Sequence, residues 1–299
     1  MILPAALAVD LGGRSLLRTG DLTAAELEAV LDLTDELKAA PRGSYRPLEG
    51  RTLGLLFRKH STRTRVSLAA AMAHLGGIAI DLPGDQLQLA RGESMDDTAR
   101  VLSGYLDAIA IRTFAHAEVE AFADVASIPV LNALTDEAHP LQAIADVQTI
   151  RERLGGIEGV TVAWVGDGNN VCVSLAEACE LLGASFTCAS PEGYEPPGIE
   201  VVRDPREAVA GADVVVTDVW ASMGQEAERE ERLRAFVGYG VDADLLAVAN
   251  GGAIALHCLP AHPGEEITAE VLYGPRSAAW DAAENRLHTA KALLALTLD

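Results

Sequence analysis

The sequence predicts an α/β protein of two doubly wound domains, each built on a central parallel sheet. Three observations carry that expectation. The chain has 299 residues, and at about 100–200 residues per domain this length points to two domains. Helical and strand-like apolar patterns alternate along it, as repeated βα units require. After a long helical segment that stops at Gly155-Gly156, the strand–turn–helix pattern starts again.

In order along the chain, residues 21–33 open with capping side chains and then space their apolar residues like a helix. Residues 52–57 form a short apolar run, read as a buried strand. A helix is expected over 64–75, stopped by Gly76-Gly77, then a strand at 78–80, a helix over 96–105 and a strand at 108–111. The long helix spans 141–154, with His139-Pro140 at its start, and the domain boundary falls within or just before it. Beyond it come a strand at 160–165, a turn at 166–170 and a helix over 174–182. Strands follow at 185–189, 214–217 and 253–256. The final segment, 282–298, is helical and distant in sequence from either half, so it is free to fold back on the first.

Composition narrows the function. Hydrophobic residues make up 49% and charged residues 22%, which excludes a wholly disordered chain. The formal net charge of -21 repels nucleic-acid backbones and anionic membranes, so neither is expected as a partner. Lys38, Lys59 and Lys291 are the only lysines among 23 basic residues. Two readings fit so acidic, lysine-poor a chain: a GC-rich genome, slightly preferred, or adaptation to high salt. Cys172, Cys179, Cys188 and Cys258 show no C-x-x-C pair and no zinc spacing. The first residues are apolar but carry no positive charge and soon meet Asp10, unlike a signal peptide. No uncharged apolar stretch reaches the roughly 18 residues of a membrane span. A cytoplasmic protein with reduced thiols is expected, with no metal and no cofactor.

Five segments can carry chemistry. Ser61-Thr62-Arg63-Thr64-Arg65 lies between a strand and a helix, where unpaired N–H groups, three hydroxyls and two guanidinium groups make an anion site suited to phosphate. An ordinary cap with solvated arginines is the bland alternative; two arginines at a strand's C-terminal end favour the anion site. His139-Pro140-Leu141-Gln142 places an imidazole and an amide on one side of a helix start, able to donate to a carbonyl. Taken alone, a capping His with a surface Gln is the simpler account. Gly166-Asp167-Gly168-Asn169-Asn170 opens like a dinucleotide-binding turn, but Val171 stands at the third glycine position and no acid ends the next strand. Its two amides suit a carboxylate or an amine, and a plain strand–helix turn rich in turn formers is an equally good account. Asp218, at a strand end before Ser222-Met223-Gly224, suits an ammonium group or caps a helix. In His257-Cys258-Leu259-Pro260 the thiol is a nucleophile, a polarisable contact or, most simply, an inert buried group, and alternation puts His257 on the opposite face, against a Cys–His dyad.

Taken together and in this order, the motifs resemble the ornithine carbamoyltransferases, within the aspartate/ornithine carbamoyltransferase family. The resemblance covers nearly the whole chain and adds Gln88 in Gln86-Leu-Gln-Leu-Ala-Arg-Gly-Glu-Ser94, Arg112, and Glu284-Asn285-Arg286. It implies two domains joined by interdomain helices. Residues 1–140 would bind carbamoyl phosphate, the C-terminal helix 282–299 would return to them, and 141–281 would bind L-ornithine. By the same resemblance Ser61, Thr62, Arg63 and Thr64 hold the phosphate. Arg112, His139 and Gln142 hold the carbamoyl end, and Cys258, Leu259 and Arg286 complete that pocket. Gln88 reaches a neighbouring subunit's site in a homotrimer or a multiple of trimers. Asn170, Asp218, Ser222 and Met223 bind ornithine, with Arg112, His139, Cys258 and Asp218 acting in the chemistry. A cis Leu259–Pro260 bond is also implied. One departure is visible: Pro263 stands where many bacterial members have Arg. The competing expectations are a carbamoyltransferase for another amine, a dinucleotide-dependent dehydrogenase, and a non-catalytic binding module on the same fold.

Overall fold

A computed structural model of the chain describes residues 9, 11–88, 92–221 and 226–298. Two compact units emerge, one of residues 1–144 with 285–299 and one of residues 145–284. The first contains α1 (Ala24–Ala39), β1 (Thr52–Phe57), α2 (Arg63–Leu75), β2 (Ile78–Pro83), α3 (Met95–Ser103), β3 (Ala108–Arg112), α4 (His116–Val125) and β4 (Val130–Leu134), and ends in the first turn of α5 (Pro140–Leu154). The second follows with β5 (Thr161–Val165), α6 (Asn170–Leu181), β6 (Ser185–Ala189), β7 (Val201–Val202), α7 (Pro205–Val209), β8 (Val214–Thr217), α8 (Arg229–Ala235), α9 (Ala243–Leu246), β9 (Ile254–His257) and α10 (Ala269–Leu272). The last helix, α11 (Ala279–Leu298), like α5, contributes residues to both units.

Both sheets are parallel, with strand orders β2-β1-β3-β4 and β7-β6-β5-β8-β9. Each winds outward from its first strand, then crosses back and winds the other way, so each is doubly wound. The near-continuous apolar runs follow from burial on both faces. Strand β1 is buried from Leu53 to Phe57 and β8 along its whole length. Strand β2 differs: it is an edge, and Ile78 and Ile80 remain exposed.

Local chemistry sets the element ends. Thr23, rather than Asp21, caps α1: its hydroxyl accepts from the Glu26 N–H while the Glu26 carboxylate takes the Thr23 N–H. Asp21 instead accepts from the N–H groups of Leu17 and Arg18. Helix α2 stops at Gly76, whose φ of 94° suits glycine. Helix α6 starts one turn earlier than the expected residue 174, because Asn169 Oδ1 accepts from the Val171 and Cys172 N–H groups. The elements α4 and β4 lack a strong periodic signal; β4 is brief and interrupted by the buried Asn132.

The C-terminal helix does pack back on the first unit. Its Lys291 ammonium donates to the Leu37 carbonyl near the end of α1, Lys38 donates to Asn285, and Gly13 N–H to the Thr297 carbonyl. Leu293, Leu294 and Leu296 are buried there. Each such side chain contributes about 1.5–3 kcal/mol of burial. Among the described residues, no helix is long and apolar enough to cross a membrane.

Candidate active site

In open α/β sheets a ligand binds beyond the strands' C-terminal ends, where the winding reverses. In the first unit that point lies between β1 and β3. Strand β1 runs into the Ser61–Thr64 segment, and β3 ends at Arg112. In the second unit it lies between β5 and β8, where β5 runs into the Gly166–Asn170 turn and β8 into Asp218. The chemical motifs therefore stand at both reversals.

The first half-site gathers four cationic and polar elements. Thr62 caps α2 without lending a side-chain acceptor, and the Val66 N–H turns back to its carbonyl. Thr64 is buried, and its hydroxyl accepts from Arg286 Nη2 at 2.8 Å. The other Arg286 nitrogen, Nη1, donates to the Gln142 amide oxygen. His139 is 4% exposed. Burial, then the charges of Arg286, Arg112 and Arg63, hold it well below the ordinary imidazole range, so it is neutral at pH 7. Arg112 is buried at a β-bulge, where β4 pairs Asn132 with Ile111 and Leu134 with Arg112. Ser61 is half-buried, Thr62 exposed and Gln88 exposed after β2. Arg65 departs from the anion cluster expected of it. It bonds Asp81 at 3.1 Å and lies over the Phe57 ring.

The second half-site centres on Asp218, 5% exposed. One carboxylate oxygen accepts from Asn169 Nδ2 at 2.8 Å and the other from the Cys258 thiol at 2.9 Å. The parallel register puts Thr217 beside His257, so the next residues, Asp218 and Cys258, emerge together. Asn170 begins α6 next door. Ser222 and Met223 lie outside the described residues. The Leu259–Pro260 bond is cis, and Leu259 sits at a φ of 58°. A left-handed non-glycine residue costs about 1–3 kcal/mol, a strain that collects at functional sites. The His257 ring is held by other partners: its Nδ1 accepts from the Leu259 N–H and its Nε2 meets the buried Glu266. Both ring nitrogens are thereby engaged. Although Asp218, His257 and Cys258 lie close enough to share a metal ion, the imidazole has no lone pair left for one in this arrangement.

A dinucleotide does not fit the glycine turn. A Cβ on Gly168 would lie 2.1 Å from the Pro196 nitrogen, so the backbone of 195–196 occupies the space where a pyrophosphate would approach. That glycine serves chain packing.

With this geometry in place, the comparisons with known proteins become specific. Residues 14–152 match the carbamoyl-P binding domain of the aspartate/ornithine carbamoyltransferases, and residues 158–297 match their Asp/Orn binding domain.

The chain belongs to the aspartate/ornithine carbamoyltransferase family.

It is similar to an ornithine carbamoyltransferase of Acidothermus cellulolyticus, 54% identical over 96% of this chain and 97% of that one. It is 49% identical to an anabolic ornithine carbamoyltransferase of Pyrococcus furiosus, over 98% of each. The solved structure of the ornithine carbamoyltransferase from Pyrococcus furiosus matches it with a TM-score of 0.92, covering 97% of this chain and 99% of that chain. As a member of the family, the chain is a carbamoyltransferase enzyme.

The place of Arg232 and the bond from Asn169 to Asp218 are not legible in the sequence, where Asn169 is one of two turn amides with no assigned partner. Arg232 is buried on α8, donating to Asp167 at 3.1 Å and to the Trp220 carbonyl at 2.9 Å. Burial still pushes the Asp167 carboxyl up to about 7, against the pull of Arg232. Only its place in a polar, helical stretch was visible beforehand, and that looked like surface.

Proposed function

We propose that this chain transfers the carbamoyl group of carbamoyl phosphate to the δ-amine of L-ornithine, giving L-citrulline and phosphate. The observation that carries this reading is that Arg286 bonds both Thr64 at the start of α2 and Gln142 at the start of α5, with Arg112 and His139 buried in the same unit, at the β1/β3 reversal. Such a set suits an anion whose neighbouring carbonyl gains negative charge. The 49–54% identical relatives named ornithine carbamoyltransferase support ornithine as the acceptor.

The first unit is the carbamoyl-phosphate domain in this reading. Ser61, Thr62, Arg63 and Thr64, at the start of α2, hold the phosphate with N–H groups, hydroxyls and a guanidinium. Arg112, His139, Gln142 and Arg286 hold the carbamoyl end. A neutral imidazole keeps an N–H to donate, and preorganised donors stabilise the oxyanion as the tetrahedral centre forms. The δ-nitrogen, in its deprotonated form, attacks the carbonyl carbon and forms the new C–N bond; phosphate then leaves with the electron pair of the C–O bond and takes up the proton that the nitrogen sheds. The second unit is the ornithine domain. Asp218 takes the α-ammonium, Asn170 the α-carboxylate, and Cys258 positions the δ-amine without forming a covalent bond. Most of the acceleration comes from positioning and charge.

The active assembly in this reading is a cytoplasmic homotrimer serving arginine synthesis, with Gln88 reaching a neighbouring subunit. Exposed Val66, Ile78 and Ile80, two of them on the edge strand β2, support burial of that face against another copy.

The test is product formation from carbamoyl phosphate with ornithine, putrescine, N-acetylornithine or aspartate supplied separately, each in low and high KCl. Citrulline from ornithine alone is expected. Turnover with a different acceptor overturns the ornithine assignment, and no turnover with any of them overturns catalysis.

A further inference from the structure

We propose that Asn132, Thr135 and His116 are positioning residues that set His139 and Arg112 on carbamoyl phosphate. The inference rests on the carbamoyl-phosphate reading of the first half-site. All three side chains are at most 1% exposed, although none is expected to touch substrate.

The network begins at the bulge. Because β4 slips by one residue, Arg112 pairs with Leu134 rather than Ala133. Leu134 has a φ of 156°, which L residues rarely adopt. Its N–H is taken by Asn132 Oδ1 at 3.0 Å, and its carbonyl accepts from the Thr113 N–H at 3.0 Å. Asn132 thus holds the bend that faces Arg112. Its amide also donates to the Leu17 carbonyl at 2.8 Å, fixing the side chain from the other side.

The next step reaches His139. Thr135 closes a tight loop on Ala138: the Thr135 N–H donates to the Ala138 carbonyl at 2.9 Å, and the Ala138 N–H donates to Thr135 Oγ1 at 3.2 Å. Residue 139 follows directly, and its carbonyl starts α5 by accepting from the N–H groups of Gln142 and Ala143. The loop that Thr135 closes therefore fixes where the imidazole stands.

His116 sets the hydroxyl. Thr135 Oγ1 accepts from Ala138 and lies 2.8 Å from His116 Nδ1 and 3.5 Å from the Ala138 carbonyl; we assign its hydrogen to the shorter contact. With Nδ1 as the acceptor, the ring proton stands on Nε2, 3.6 Å from Glu120. A neutral His116 of one tautomer completes the chain from α4 to the catalytic imidazole.

This tautomer makes the test selective. An asparagine carries its oxygen near where Nδ1 stands, whereas a glutamine offers nothing there. His116→Gln and Thr135→Val are expected to lower kcat/KM for carbamoyl phosphate by about 10- to 100-fold, the scale of a misplacement near 1 Å. The KM for ornithine should stay near wild type. His116→Asn and Thr135→Ser should restore most of the loss. Melting temperatures identify any variant that fails to fold, and the His116 pair carries the test if the Thr135 pair fails. Wild-type kinetics in both folded loss variants, equal losses in the conservative variants, or a change confined to ornithine would each overturn the proposal. Calorimetry with carbamoyl phosphate alone separates this from the function itself. If wild type binds it but makes no product, the weaker binding of His116→Gln still reports the network.

Discussion

His139 can donate to a carbonyl at neutral pH because burial and three guanidinium charges deny it a second proton. His116 is likewise held below the ordinary range, by burial and Arg18, against the opposing pull of Glu120, Glu137 and Asp21. For both groups the unfolded chain, with a pKa near 6.5, binds more protons than the folded one as pH falls. Stability should therefore rise with pH through the ordinary imidazole range and drop below it, by up to about 1.4 kcal/mol per pH unit per group. Urea titrations from acidic to neutral pH should show a shallower slope in His116→Asn than in wild type; equal slopes would remove His116 from the effect. In the other half-site, Cys258 donates to a carboxylate that also needs Asn169. Hydrogen bonds to charged groups contribute about 1.5–3 kcal/mol, so Asp218→Asn should cut kcat/KM for ornithine by about 10- to 100-fold. Cys258→Ser should raise ornithine KM and lower kcat; unchanged values for both would discard the positioning role. Ser61–Thr64 was legible because its residues are contiguous; the Asn169 amide was legible too, but its bond to Asp218 was not, because the two lie 49 residues apart.

At the scale of elements, caps and close approaches decide outcomes that periodicity leaves open. Thr23 and Glu26 close a reciprocal box at the start of α1, outside the candidate site motifs. Thr23→Ala should cost about 1 kcal/mol with kcat unchanged, which denaturation and assay together would show. Gly168→Ala should be far worse, since the Pro196 nitrogen sits 2.1 Å from the added carbon and backbone there cannot yield cheaply. Loss of folded protein, or a raised ornithine KM in what remains, is expected; a wild-type variant would mean the turn has room. Strands β1, β3, β5 and β8 were readable as apolar runs because parallel strands are covered on both faces. The elements α4 and β4 were not, since β4 carries Asn132 inside a five-residue strand. That side chain serves the bulge.

Over the whole molecule, 44 acidic residues against 23 basic ones leave a formal charge of -21. Raising KCl from about 0.1 M to about 1 M shortens the screening length from about 10 Å to about 3 Å. Self-repulsion then falls, and the melting temperature should rise if net charge dominates. A fall would instead show that surface pairs such as Arg153–Asp281 and Arg203–Glu195 outweigh it. Equilibrium sedimentation addresses the proposed trimer: three times 31.4 kDa is expected, and Ile78→Asp should reduce it. A wild-type mass of one chain would discard the role given to Gln88.

The alternation of helix and strand, the restart after Gly156 and the Ser61–Arg65 motif are all legible from residues within a few turns of one another. Which distant groups meet is a matter of packing. Arg286 reaches Thr64 across 222 residues because α11 packs back on the first unit. Asp218 and Cys258 emerge side by side because β8 and β9 pair Thr217 with His257. The neutral state of His139 likewise depends on burial and on charges supplied by α2, β3 and α11. Proximity of that kind is a property of strand register and helix docking, which no local pattern encodes.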